Sequence, residues 1–235
     1  MLNLSSFSLI LTEMNKIILT ADGSNTLYNE TIGEHYHSTH GALQESLHVF
    51  IDAGLKAAAE KFPIQPLSIL EVGFGTGLNY LLTLDYAIKD NLRVNYTSLE
   101  AFPLTKEEFQ STGYDNYVAK EIWHALTESY PDCLNRELEL LPNQSLQVVH
   151  TSLQEFKPLE RYQLLYYDAF SVRHQPEMWT EEVIGHAASL LIPGGIFVTY
   201  AITGHLKRAL KSFGFSIEKL PGAPGKREML RATKL

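Results

Sequence analysis

Three alternating glycines, Gly73, Gly75 and Gly77, stand between two apolar segments and constrain the fold of this chain more than any other feature. The residues before them, 67–72, are typical of a short buried strand, and the apolar run after them is typical of a helix. Glycine lacks a β-carbon and accepts unusual backbone angles, so a ligand can lie against the main chain near the helix start. The pattern predicts a cofactor-binding turn made by Glu71, Gly73, Phe74, Gly75, Gly77 and Asn79.

The glycine spacing indicates which cofactor this turn would hold. It is G-x-G-x-G rather than the G-x-G-x-x-G that supports a dinucleotide pyrophosphate, which favours S-adenosylmethionine. Glu100 closes the next strand, and a carboxylate there can accept hydrogen bonds from both ribose hydroxyls. After the third strand, Ser152 and Leu153 occupy the position where many such enzymes place an acid near the adenine. A glycine turn can also be plain structure, but its combination with Glu100 favours a cofactor site.

Short apolar runs alternate with helical segments from residue 67 onward, as expected of a parallel sheet with crossover helices. We predict an α/β, Rossmann-like class I methyltransferase fold with a mostly parallel sheet of seven strands. The predicted strands cover residues 67–72, 94–99, 146–149, 164–168, 196–200, 216–219 and 229–232.

The residues before this sheet show a different pattern of apolar and turn-forming residues. A turn-rich stretch separates residues 16–20 from 26–28 and predicts a hairpin, and helical spacing follows over residues 41–55 until Pro63 and Pro66. We therefore expect an N-terminal hairpin and helix over residues 1–62 and a methyltransferase domain over 63–235. Within the latter, residues 101–145 are expected to form a helical insertion.

Composition excludes several classes of protein. Apolar residues make up 45% and charged residues 20% of the chain, as in ordinary soluble domains, and no apolar stretch reaches the ~18 residues of a membrane span. The opening residues lack the basic region and cleavage site of a secretory signal. Cys133 is the single cysteine, which excludes an internal disulfide and fits a reducing cytoplasm. We expect a cytoplasmic protein without membrane contact.

Asp168 is the strongest candidate for chemistry. It ends a predicted strand, so its carboxylate should lie at the carboxyl edge of the sheet, where open α/β sheets bind ligands. The alternative is an aspartate that caps a turn or the next helix.

Three further groups leave alternatives open. Glu45 faces either away from the core or into a site. Tyr28, Tyr36 and Tyr200 could stack on a nucleobase or simply fill the core. His35, His37 and His40 are crowded, but their spacing is not a helical pair and no firm acid completes a shell, so we expect no metal site.

The charge distribution is uneven. The net charge is −8, yet residues 205–235 carry eight lysines and arginines against two glutamates, which is +6. Such asymmetry indicates a surface for a polyanion, or else the solvated faces of a terminal helix and strand pair. Lys226 and Arg227 follow a loop rich in proline and glycine that can present them outward.

Several segments together resemble the methyltransferase domain of the MnmC family. They are DGSNTLY, YHSTHGALQESLHVFIDAGL, EVGFGTGLNYLLTL, LLYYDAFSVRHQPEMWT, LIPGGIFVTYA and PGKREML, in that order. The resemblance spans residues 19–232. The chain departs from the family at residues 171–175, where a proline and lysine are usual, and at Ser152, where an acid is.

The resemblance implies transfer of a methyl group from S-adenosylmethionine to the amine of 5-aminomethyl-2-thiouridine at the tRNA wobble position. It implies that Asp168 orients the amine, that Phe170 walls the pocket, that Glu45 faces the site, and that Lys226 and Arg227 contact tRNA. Family members also carry a flavin-dependent oxidase domain. We expect no flavin in this chain, and action after a separate wobble-uridine enzyme. The alternatives are a small-molecule amine methyltransferase, an aminopropyl transferase, or a catalytically silent tRNA-binding scaffold.

Overall fold

The computed structural model describes residues 15–63 and 66–235. Residues 1–14, which hold most of the segment for which we expect no secretory signal, lie outside this part of the chain. None of the helices in the described residues is long and apolar enough to cross a membrane.

The strands are β1 (Lys16–Leu19), β2 (Asn25–Asn29), β3 (Glu34–His35), β4 (Leu67–Val72), β5 (Val94–Glu100), β6 (Leu138–Leu141), β7 (Gln144–His150), β8 (Tyr162–Tyr167), β9 (Leu191–Thr199), β10 (Phe215–Pro221) and β11 (Glu228–Lys234). The helices are α1 (Ala42–Ser46), a π-helical segment (Leu47–Leu55), α2 (Lys56–Lys61), α3 (Leu78–Lys89), α4 (Lys106–Ser111), α5 (Lys120–Cys133), α6 (Glu181–Ser189) and α7 (Gly204–Ser212). Short 3-10 turns cover Tyr114–Asn116 and Pro176–Trp179.

The main sheet has eight strands in the order β10-β11-β9-β8-β4-β5-β7-β6. Strands β4, β5, β7, β8 and β9 pair in parallel, and β6, β10 and β11 join them antiparallel. All seven predicted strands are present, most of them longer at their ends. The eighth, β6, falls where only helices were predicted, because Asn143 adopts a left-handed φ of 64° and turns the chain directly into β7.

Helices cover both faces of the sheet. Alternate strand residues such as Ile69 and Leu70 are fully buried in two separate apolar clusters. The first cluster includes the π-helical segment, α3 and α5, and the second includes α6 and α7. Burial on both faces explains why β8 reads as a continuous buried run rather than an alternating one. The carboxyl ends of the parallel strands are left as the open edge.

The predicted N-terminal hairpin is present. β1 pairs antiparallel with β2, with Lys16 opposite Tyr28, and the two-residue strand β3 extends this small sheet. The predicted helix begins at Ala42 and continues through the π-helical segment to Lys61, just before Pro63. Within residues 101–145, α4 and α5 pack on the first face of the main sheet, followed by β6. The division of the chain at residue 62 stays a prediction.

Candidate active site

The glycine turn after β4 lies against two neighbouring segments. Gly73 has a φ of +92°, and a β-carbon there would come within 2.8 Å of the carbonyl oxygen of Asp168. Its N–H donates to the carbonyl of Leu99 at 2.9 Å. Gly75 has a φ of +50°, and its β-carbon would come within 2.9 Å of Tyr36. Both positions therefore exclude a side chain, and the bare backbone faces a cavity.

Glu100 stands at the end of β5 beside this turn. One carboxylate oxygen accepts the N–H of Gly75 at 2.8 Å, and the other accepts the N–H of Phe102 at 2.9 Å. Burial raises the pKa of Glu100, while these backbone hydrogen bonds lower it. The main chain thus fixes this carboxylate at the rim of the cavity.

Asp168 directly follows β8, one strand away from the glycine turn. Its N–H donates to the carbonyl of Val72 at 3.0 Å, and its Oδ2 accepts Asn79 Nδ2 at 2.8 Å. Burial raises the pKa of Asp168 to about 7, with a further increase from Glu45, whereas Asn79 and Lys226 act in the opposite direction. A carboxyl group whose pKa lies near neutral pH can hold or release a proton under physiological conditions.

A second carboxylate lies behind Asp168. Glu71 is completely buried and accepts Asn79 Nδ2 at 3.0 Å and Ser98 Oγ at 2.8 Å. Burial raises the pKa of Glu71 to about 8, and the neighbouring Asp168 adds to the increase. Asn79 therefore joins two carboxyl groups that cannot easily both be charged.

Lys226 reaches the same region from the loop between β10 and β11. Its Nζ pairs with Glu45 Oε1 and lies 3.8 Å from the centroid of the Tyr200 ring. Glu45 also accepts the N–H of Ser38 at 2.9 Å. Tyr200 in turn donates to the carbonyl of Ala169 at 2.9 Å, beside Asp168.

The segment after the hairpin covers this site. The rings of Tyr36 and Phe170 meet edge to face, with centroids 5.2 Å apart. The N–H of Ser171 donates to Glu34 at 2.8 Å, and His174 Nδ1 lies 3.1 Å from the carbonyl oxygen of Ile32. Residues 171–175, where this sequence differs from the family pattern, therefore pack against the segment that follows the hairpin.

These elements enclose one cavity of about 520 Å³. Eleven of the predicted site residues line it: Glu45, Gly73, Phe74, Gly75, Glu100, Ser152, Leu153, Asp168, Phe170, Tyr200 and Lys226. The structure thus brings together most of the positions that the sequence singled out.

Five predicted site residues do not line the cavity, namely Glu71, Asn79, Gly77, Tyr28 and Arg227. Glu71 and Asn79 lie beneath Asp168 and reach the cavity only through it. Gly77 directly precedes α3 in a left-handed conformation, and a β-carbon there would come within 2.7 Å of the Phe109 ring. Tyr28 packs on the ring of His35 with centroids 4.9 Å apart.

The prediction that Lys226 and Arg227 both point outward is wrong for Lys226. Lys226 turns inward to Glu45, and only Arg227 is exposed. Arg227 forms no ion pair with the described residues. Other basic side chains of residues 205–235 are also occupied, since Arg231 pairs with Glu218 and Lys234 donates to the carbonyls of Ala188 and Leu191.

Sequence reasoning missed several cavity residues. The most prominent are Glu34, His37, Phe102, Gln154, Gln175 and Met178, and Tyr36 was noted only as a possible stacking residue. Most come from the segment after the hairpin and from the loop after β8. A polar and aromatic loop next to a predicted hairpin was the available signal, but nothing local tells which sheet edge it covers.

The crowded histidines do not form a metal centre within the described ranges, where no group of three metal-ligating side chains occurs. Burial lowers the pKa of His37 to about 4, so this ring is neutral at physiological pH. Its Nδ1 lies 3.3 Å from Thr26 Oγ1.

The residues fit S-adenosylmethionine. Gly73 and Gly75 leave bare backbone on the cavity side, and Glu100 presents a fixed carboxylate beside them. The exposed ring of Phe102 and the side chains of Ser152 and Leu153 line the same end of the cavity and could hold an adenine. The cofactor is cationic, and the cavity walls carry mainly carboxylates.

Comparison with known proteins supports this assignment. A family model described as S-adenosyl-L-methionine-dependent methyltransferase matches residues 117–235. The tRNA 5-methylaminomethyl-2-thiouridine biosynthesis bifunctional protein MnmC of Leptospira borgpetersenii is 33% identical over 204 residues, which cover 83% of this chain and 31% of that protein. The protein of the same name from Aromatoleum aromaticum is 30% identical over 224 residues, covering 92% and 35%.

The crystal structure of MnmC2 from Aquifex aeolicus superposes with a TM-score of 0.72 at 29% identity, covering 94% of this chain and 71% of that one. The chain spans about a third of the length of the curated relatives it matches.

Proposed function

The chain belongs to the S-adenosyl-L-methionine-dependent methyltransferase family, and on this premise we propose that it methylates the primary amine of 5-aminomethyl-2-thiouridine at the wobble position of tRNA. The product would be 5-methylaminomethyl-2-thiouridine. The names of the relatives from Leptospira borgpetersenii and Aromatoleum aromaticum support this substrate.

One observation carries the proposal. A single cavity joins a glycine turn and the backbone-held carboxylate of Glu100, which we propose binds the ribose, to the carboxyl group of Asp168, whose pKa burial raises to about 7. When bound, S-adenosylmethionine supplies a methyl group activated by a positively charged sulfur. The amine nitrogen bonds to the methyl carbon as the carbon–sulfur bond breaks, and the nitrogen then loses a proton.

Asp168 meets the two requirements of this reaction. The amine must be unprotonated and aligned with the methyl group. A carboxylate held by Asn79 can accept a hydrogen bond from the amine and so orient it. Because the pKa of Asp168 is raised by burial to about 7, it can also take the proton that the amine loses. We propose both roles for this one side chain.

Aromatic side chains give the substrate end its shape. Tyr36, Phe170 and Tyr200 line the cavity on the side of Asp168 that faces the hairpin segment. Flat rings can stack on a nucleobase that has left its neighbours, which is how proteins usually read single-stranded RNA. We propose that these rings hold the wobble base, and that residues 15–62 of the N-terminal unit act as a cover on the methyltransferase domain, which we place at residues 63–235.

The proposed substrate must be made first, because this chain acts on a free primary amine. We propose that a separate wobble-uridine enzyme supplies the aminomethyl group and that both act in the cytoplasm, where tRNA is modified.

Methyl transfer from labelled S-adenosylmethionine tests the proposal. The acceptors are tRNA that carries 5-aminomethyl-2-thiouridine, the same tRNA without the aminomethyl group, and free polyamines. We expect label only in the first, recovered as 5-methylaminomethyl-2-thiouridine after digestion to nucleosides.

The other outcomes identify the alternatives. Label in polyamines alone would indicate a small-molecule amine methyltransferase. Cofactor binding without transfer to any acceptor, together with tRNA binding, would indicate a silent scaffold.

A further inference from the structure

Lys226 is the single lysine or arginine among the described residues that line the cavity. Its side chain is 32% exposed, and that of its partner Glu45 is 8% exposed. The other charged lining residues are Glu34, Glu45, Glu100, Asp168 and Glu177. Lys226 is thus one cation among five carboxylates, and it pairs directly with one of them, Glu45.

The loop between β10 and β11 holds this lysine in place. The N–H of Lys226 donates to the carbonyl of Ala223 at 2.8 Å, and the N–H of Gly222 donates to the carbonyl of Arg227 at 3.2 Å. Ala223 is buried, and His48 Nε2 lies 2.7 Å from the carbonyl oxygen of Pro221. The loop is thus closed on itself and anchored to the π-helical segment, which fixes the backbone at Lys226, and the contacts with Glu45 and Tyr200 hold its side chain toward the cavity.

The charges at this end match one ligand. Glu45, Asp168 and Lys226 provide two anionic groups and one cationic group close to the glycine turn. The methionine half of S-adenosylmethionine has the opposite set, namely an α-ammonium, a sulfonium and an α-carboxylate. A phosphate of the substrate would be a poor match, because two carboxylates beside it would repel a phosphodiester.

We propose that Lys226 binds the α-carboxylate of S-adenosylmethionine and selects the intact amino-acid form of the cofactor. Before the cofactor binds, the carboxylate of Glu45 pairs with the ammonium group of Lys226 and holds it in position for the cofactor carboxylate. This inference rests on the proposed use of S-adenosylmethionine but not on the proposed tRNA substrate.

Decarboxylated S-adenosylmethionine is the decisive probe, because it keeps the adenosine, the sulfonium and the amine and lacks only the carboxylate. We expect wild-type protein to bind S-adenosylmethionine about 10- to 100-fold more tightly than this analogue, the usual range for a charge-assisted hydrogen bond. In Lys226→Met the two affinities should come within about 3-fold of each other. Isothermal titration calorimetry measures both.

The neighbouring residue gives a matched control. Arg227→Met removes the same charge at the next position, outside the cavity, and should keep the wild-type ratio. Lys226→Arg keeps the cation and should retain most of the preference. Thermal unfolding of each variant, without ligand, shows whether it is folded. If Lys226→Met is not, Lys226→Gln takes its place, because it removes the charge and keeps a side chain that can donate to Glu45.

Two results would overturn the inference. The first is a wild-type protein that binds both ligands equally. The second is a Lys226→Met variant that keeps the wild-type ratio; if it also binds both ligands more weakly by the same factor, Lys226 is a purely structural partner of Glu45. If the ratios behave as expected but no methyl group reaches tRNA, the proposed substrate fails and the carboxylate site stands. A strong preference for the intact cofactor would also argue against aminopropyl transfer, whose donor is the decarboxylated compound.

Discussion

Glu100 and Asp168 occupy equivalent places in the sheet and differ in what holds them. Each carboxylate stands at the carboxyl end of a parallel strand, and burial raises the pKa of each. Two backbone N–H groups fix Glu100, whereas a single side-chain amide, that of Asn79, fixes Asp168. Charged side chains, Glu45 and Lys226, then adjust the pKa of Asp168 in opposite directions. A carboxylate held by the main chain suits constant binding, and one held by side chains can be tuned for reaction.

The largest expected effect separates these two carboxylates. Asp168→Asn removes the proton acceptor and should lower the rate of methyl transfer about 100-fold or more, because orientation and proton transfer are both lost. Glu100→Gln should instead weaken cofactor binding about 10-fold, the usual cost of a lost charged hydrogen bond. Single-turnover rates at saturating cofactor, together with calorimetric affinities, distinguish the two. Equal losses of rate and affinity in both variants would show that Asp168 and Glu100 do not have separate roles in reaction and in cofactor binding.

A smaller effect is expected where the glycine turn touches Asp168. Gly73→Ala would place a β-carbon 2.8 Å from the Asp168 carbonyl oxygen at a φ of +92°. We expect a fall of about 10-fold in cofactor affinity and a lower transfer rate, because a small displacement of a reacting group is costly. Gly214→Ala is the matched control, since it has a φ of +81° and nothing within 4 Å. Both variants should lose about 1–2 kcal/mol of stability from the left-handed backbone, so a control that also loses cofactor affinity would contradict the local explanation.

The third prediction concerns the carboxylate behind Asp168. The pKa of Glu71, raised by burial, is about 8, against 4.5 for an ordinary glutamate. Between these values the folded protein keeps a proton that the unfolded chain has lost, so the free energy of unfolding should fall as pH rises, by up to about 1.4 kcal/mol per pH unit. Glu71→Gln should reduce this decline. Between pH 5 and pH 8.5 its free energy of unfolding should therefore fall by less than that of the wild type.

Chemical denaturation at several pH values measures this difference. Glu107→Gln, on the exposed side of α4, is the control and should follow wild type. Parallel stability curves for wild type and Glu71→Gln would show that Glu71 is ionised in the folded protein throughout this range.

The sequence predicted the parts of the site that depend on local pattern. A buried strand, a glycine turn and a helix follow one another in the chain, so Gly73, Gly75 and Glu100 could be placed without knowledge of the tertiary structure. Asp168 followed from the rule that the carboxyl ends of parallel strands share one edge. All seven predicted strands are present in the main sheet, and the central strand β8 was the easiest to recognise because it is buried along its whole length.

The rest depended on contacts between distant segments. Lys226 lies 181 positions from Glu45 in the chain, and no local pattern reveals that a loop of proline and glycine turns this lysine inward. Strand β6 was missed because the helical pattern assigned to residues 101–145 hid a short strand, which a two-residue turn of Pro142 and Asn143 joins to β7. Asn79 and Glu71 were predicted to touch the cofactor, since sequence alone does not separate the cavity wall from the layer behind it.

The smallest expected effect separates two consecutive cations, Lys226 inside the cavity and Arg227 outside it. If Arg227 contacts a tRNA phosphate, Arg227→Ala should raise the Michaelis constant for tRNA a few-fold and reduce the slope of log affinity against log salt by about 1, because one fewer counterion is released. Arg93→Ala is the matched control, since Arg93 is also exposed but precedes β5, at the opposite edge of the sheet. It removes the same charge and should leave the slope unchanged. Binding of tRNA measured at four or more salt concentrations gives each slope. A similar change in both variants would mean that total charge, and not a contact at Arg227, governs binding, and the docking surface would then have to lie elsewhere on the rim of the cavity.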